Sequence, residues 1–100
     1  MRLVCLSDQL TVEALTVIGA EPIAVDSEEE FLVEFERLLQ NKNNIILISQ
    51  TIMTKCKDKI EYLQKAYPGA IVVVIPDVKG GLELDINRLV AEVVGVSFGN

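Results

Sequence analysis

Ile45-Ile46-Leu47-Ile48-Ser49-Gln50-Thr51 passes from an unbroken apolar run into a polar turn, and Ala70-Ile71-Val72-Val73-Val74-Ile75-Pro76-Asp77 repeats the pattern. Short aliphatic runs bounded by turn-forming residues read as strands covered on both faces, the habit of a parallel sheet. Between them Ile52, Met53, Cys56, Ile60 and Leu63 recur at helical spacing, and Pro68-Gly69 stops that helix. Strand, helix, strand is therefore the unit to look for in the rest of the chain.

Upstream the unit recurs. Ser27 and Glu30 form a capping box, and Glu28-Glu29-Glu30 suits the positive end of a helix. Phe31, Leu32, Phe35, Leu38 and Leu39 line one face of that helix, and Asn41 to Asn44 end it. Pro22 to Val25 is a short strand, its proline tolerable at a sheet edge. Leu10, Ala14, Leu15 and Ile18 predict another helix, with Gly19 as a left-handed cap. Arg2 to Leu6 opens the series as a strand, too short and too weakly cationic for a leader.

Downstream, Pro76 to Gly81 interrupts regular structure. Ile86, Leu89, Val90, Val93 and Val94 then mark a last amphipathic helix, with Gly95 as its terminator. Residues 1–76 are expected to form the α/β domain, 77–82 a glycine-containing hinge or linker, 83–96 the C-terminal helix and 97–100 a tail. Gly80 and Gly81 are the candidate hinge. Alternating strands and helices with short joins predict a small open sheet of four parallel strands with helices on both faces. The expected strand order is 2-1-3-4, by analogy with flavodoxin-like and Rossmann-like folds.

Composition narrows the function classes. The 100 residues suffice for one core, and half of them are apolar. The longest apolar runs fall far short of the roughly 20 residues that cross a membrane. Nine basic residues stand against fifteen acidic ones, a net charge of −6. Lys55, Lys57 and Lys59 are the one local cluster, and Asp58 and Glu61 interleave them as on a solvated helix face. No concentrated basic patch offers itself to a nucleic acid backbone. The absence of histidine removes Ser-His and Cys-His pairs and most zinc sites. Cys5 and Cys56 sit in apolar patterns and read as buried free thiols in a reducing compartment.

In this architecture chemistry belongs at the carboxyl ends of the strands. Those ends read Ser7-Asp8-Gln9, Asp26-Ser27, Ser49-Gln50-Thr51 and Pro76-Asp77. The first turn has no glycine with which a backbone could cradle a pyrophosphate, and three aspartates repel phosphate. Asp8, Asp26 and Asp77 could gather magnesium as in a receiver domain, with Lys79 near, but Ser49 stands where the phosphoacceptor is needed. The plainer reading makes Asp8 and Asp26-Ser27 helix caps and Asp77 a turn former. Cys5 resembles in position the phosphorylated cysteine of sugar phosphotransferase IIB proteins, yet Leu6 and Asp8 replace that family's small, glycine-rich loop. No catalytic, cofactor or metal residue is assigned. The alternative function is a small phosphotransfer protein, IIB-like or receiver-like, using Cys5 or Asp8.

The same segments resemble the F subunit of the V/A-type ATPases. The resemblance lies in Ile45 to Ser49 before a polar helix, in Ala70 to Asp77 with its isoleucine-proline-aspartate step, in Gly80-Gly81, and in Leu89-Val90-Ala91-Glu92-Val93-Val94-Gly95-Val96. The order of elements agrees from end to end. The first third departs: Ser7 precedes Asp8 where the family has glycine, and Leu15-Thr16-Val17-Ile18-Gly19 keeps only the glycine of a phenylalanine-arginine-leucine-alanine-glycine run. The resemblance implies a non-catalytic central-stalk, or rotor, subunit in the cytoplasm, peripheral to the membrane and without a cofactor. It implies docking on the coiled-coil D subunit, and regulation through the C-terminal helix reaching the catalytic head. Ile86, Leu89, Val90, Val93 and Val94 would be the partner-binding face.

Overall fold

The computed structural model describes residues 2–77. The apolar runs become four parallel strands: β1 (Arg2–Ser7), β2 (Glu21–Ala24), β3 (Asn44–Ser49) and β4 (Ile71–Ile75). Their order is β2-β1-β3-β4, as the sequence predicts. The first crossover carries α1 (Gln9–Leu15) and a short 3-10 turn, Thr16–Ile18. The second carries α2 (Glu28–Leu39), and the third carries α3 (Gln50–Lys55) and α4 (Lys57–Ala66).

The strand order dictates where the helices lie. The chain steps outward from β1 to β2, then back across β1 to β3 and on to β4. Crossovers of one hand must change faces when the direction of progress reverses, so α1 covers one face and α2 with α4 the other. Side chains alternate between the two faces. Val4, Leu6, Ile46 and Ile48 pack with Phe31, Phe35, Leu38, Leu39, Cys56 and Ile60. Cys5, Leu47 and Ile75 pack with Val12, Leu15 and Ala20. The continuous apolar sequence of β1 and β3 thus serves two cores at once.

Local chemistry fixes the ends. Gly19 closes the first crossover at φ 86°, the left-handed conformation expected of it. Ser27 accepts the Glu30 amide at 3.1 Å and starts α2. Phe31 and Phe35 stack one turn apart, with ring centroids 5.3 Å apart. Asn44 begins β3 fully buried, its side-chain amide donating to the Leu38 carbonyl at 2.9 Å.

Four details depart from the sequence reading. The inward face of α1 is Thr11, Val12 and Leu15, with Ala14 and Ile18 half-buried, whereas Leu10 is 36% exposed. The Asp8 cap bonds Thr11 and turns that residue toward the sheet, which shifts the phase of the helix. β2 begins at Glu21, where Arg2 on the adjacent strand makes an ion pair with it. The third helix is two: the chain leaves helical geometry at Cys56 (φ −113°, ψ 18°). Thr51, Ile52 and Thr54 are β-branched and support a continuous helix weakly. Finally, β4 is not wholly buried, since Ile71 is 50% exposed and Val74 is also open to solvent. It flanks only β3 among the described strands, so its apolar run is less covered than that of β3.

Phe35 fills the centre of the α2 side with no exposed surface. Replacing it with alanine leaves a cavity among closely packed neighbours. Phe35→Ala is expected to lower unfolding stability by about 3–5 kcal/mol, read as a fall in the urea midpoint with little change in slope.

Candidate functional site

The faces switch between β1 and β3, and there the connections leave the strand ends toward opposite faces and border a crevice, the usual ligand position in this architecture. It encloses about 600 Å³ and is lined by Asp8, Asp26, Ser27, Glu28, Ser49, Thr51, Lys55, Cys56 and Asp77, with Val25, Phe31 and Ile52 at its floor. The three aspartates singled out in the sequence thus share one rim.

Two of them are occupied by the backbone. Asp8 accepts the Thr11 amide at 3.1 Å, the Thr11 hydroxyl at 2.7 Å and the Ser7 hydroxyl at 3.0 Å. Burial alone would raise its pKa, but these bonds together outweigh burial and hold it below the ordinary carboxylate value. Asp77 is not simply a turn former. It reaches back from the end of β4 to accept the Thr51 amide at 3.1 Å and the Thr51 hydroxyl, and so caps α3 from 26 residues away. Ser27 caps α2, while Asp26 is exposed beside it. Glu28 is paired with Lys59 at 3.0 Å. Lys59 is thereby drawn from the lysine cluster into an ion pair, and Lys55 is the one basic lining residue among the described residues.

Neither thiol is poised to react. Cys5 lies inside β1 rather than in the turn after it, fully buried between the sheet and α1. Burial, and then the charge of Asp8, push its pKa up to about 12, so the thiolate is scarce at neutral pH. Cys56 is raised as well, first by burial and then by Glu28. Among the described residues the crevice offers a phosphoryl group acidic walls and no glycine cradle. No cluster of three metal-ligating side chains occurs among the described residues. No described helix is long and apolar enough to cross a membrane.

The other candidate residues, Ile86, Leu89, Val90, Val93 and Val94 with the Gly80-Gly81 hinge and Lys79, lie outside the described residues. The sequence reading missed the Asp77–Thr51 clamp, because a cap donated across 26 residues leaves no local spacing to read. It also missed Thr11, whose only signal was a hydroxyl three residues after an aspartate.

A small doubly wound domain whose strand-end side chains start helices is the class that fold and rim define. The model of the ATP synthase (F/14-kDa) subunit family matches residues 3–93, and the chain belongs to that family. The resemblance to the F subunit of the V/A-type ATPases is thereby shown, and with it a place as one component of such a rotary complex. No curated protein and no solved structure matches the chain.

The Asp8 cap is directly testable. Asp8→Ala is expected to cost about 1 kcal/mol at pH 7. Because the folded-state pKa is depressed, the charged group's contribution is present above its unfolded value of 3.8 and lost as pH falls through the folded one. The gap between wild type and Asp8→Ala, followed by urea unfolding, should narrow below that pH.

Proposed function

We propose that the chain is the central-stalk F subunit of a V/A-type ATPase or ATP synthase, without an active site of its own. It docks on the coiled-coil D subunit and turns with it, contributing to rotary coupling and to regulation of ATP synthesis or hydrolysis and ion transport. It works in the cytoplasm, peripheral to the membrane, as part of the complex. The observation that carries this reading is the family match over nearly the whole chain. The rim supports it, since Asp8, Ser27 and Asp77 are engaged in starting helices rather than presented to a ligand.

The segment after Asp77 supplies the regulatory part of the proposal. Its apolar face, Ile86, Leu89, Val90, Val93 and Val94, is suited to burial against a neighbour. Gly80 and Gly81 are the hinge that, on this proposal, would let the segment expected to be helical approach the catalytic-head subunits.

Co-expression with the coiled-coil stalk component of the same complex tests the proposal. A stable one-to-one complex should elute as a single species, and Leu89→Asp or Val93→Asp should weaken binding or lower the melting temperature. Independent elution of the two wild-type chains would contradict the reading.

A further inference from the structure

Helices α2 and α4 lie side by side in the same direction, tied near their starts by Glu28 and Lys59 and near their ends by the Tyr67 hydroxyl, which donates to Glu36 at 3.4 Å. Between their outer surfaces runs a groove of about 410 Å³, with Leu32, Val33, Tyr62 and Leu63 along its walls. Val33 is 67% exposed and Tyr62 is 73% exposed. A helix that covers a sheet ordinarily turns polar residues outward. Scattered exposed apolar residues are common, but here exposed Val33 and Tyr62 face one groove across two helices, with half-buried Leu32 and Leu63 beneath them, and the groove between parallel helices is shaped to receive a third.

Charge identifies what would lie there. Lys59 at the groove margin is neutralised by Glu28. Glu36 and Asp58 remain, and neither makes an ion pair among the described residues. Glu29 lies one helical turn before Val33 and adds a third carboxylate, against Lys65 in the last turn of α4. The margin is therefore acidic. A second copy would set these carboxylates against themselves, which two-fold pairing makes unfavourable. The chain's own segment 83–94 is also acidic, with Glu83, Asp85 and Glu92 against Arg88.

We infer that the α2–α4 groove, rather than the strand-end crevice, seats one helix of the partner's helical stalk, a helix with an apolar ridge flanked by lysine or arginine. The inference rests on the stalk-subunit reading and adds to it the surface and the chemistry of the contact. Tyr62 supplies a broad, rigid anchor at the centre, and the carboxylates fix register and speed association.

Titration of the full chain with the purified coiled-coil partner tests it. The double variant Val33→Asp/Tyr62→Asp should bind at least about tenfold more weakly, with an unchanged melting temperature because both side chains are exposed. Glu36→Lys/Asp58→Lys should also bind more weakly, and should lose much of the wild-type sensitivity to salt. If both variants bind as the wild type does, the groove is the wrong surface while the stalk reading stands. If the wild type fails to bind, both fall. A dimer of the isolated chain that Val33→Asp/Tyr62→Asp dissolves would give the groove to a second copy and overturn the inference. So would Leu89→Asp shifting the Val33 methyl resonances of the isolated chain, by giving the groove to the chain's own last segment.

Discussion

Burial of β1 and β3 on both faces is the constraint on which the rest of the structure depends. Val4, Cys5, Leu6, Ile46, Leu47 and Ile48 are all without solvent exposure. Burying a large aliphatic side chain stabilises by about 1.5–3 kcal/mol, so leaving either face of this pair uncovered would remove much of the net stability of a domain this size. Helices must therefore lie on both sides, and the reversal in strand order puts them there. The same reversal opens the strand-end crevice.

The helices must also begin in the right place, and their beginnings fall on that crevice. The first amides of a helix have no partner within it and need one from a side chain. Asp8, Ser27 and Asp77 answer this need for α1, α2 and α3. In enzymes of this architecture the corresponding residues face a substrate. Here the oxygens of Asp8, Ser27 and Asp77 are turned toward backbone, Cys5 is sealed within β1, and burial raises the pKa of Cys56, the thiol that lines the crevice. The outer surface of α2 and α4 is spared these duties, and it carries exposed Val33 and Tyr62 together with carboxylates.

Local signals were legible in the sequence. The continuous run Ile45 to Ile48 marked a central strand, Ser27 marked the start of α2, and Gly19 marked a left-handed stop, each through interactions spanning a few residues. The strand order, expected by analogy with flavodoxin-like folds, is the one observed. The departures share a different cause. Leu10 matched the apolar period of α1, but the Asp8–Thr11 bonds set its phase. Ile71 and Val74 are as apolar as Ile46 and Ile48, and it is their place in the sheet, less covered by the described residues, that distinguishes them. Asp77 looked like a turn former because Thr51, the residue it serves, is distant in the chain. The α2–α4 groove was invisible for the same reason: Val33 and Tyr62 are each unremarkable on their own helix and become a surface only when the helices lie together.

The central claim is the proposed one, that Asp8, Ser27 and Asp77 on the strand-end rim hold helix starts rather than a nucleotide. Its most direct test is the amide spectrum of the isolated chain titrated with ATP and magnesium. The account predicts that resonances of Asp8, Asp26, Ser49, Thr51 and Asp77 stay in place through millimolar nucleotide. Saturable shifts at those residues, abolished by Asp77→Ala, would contradict it.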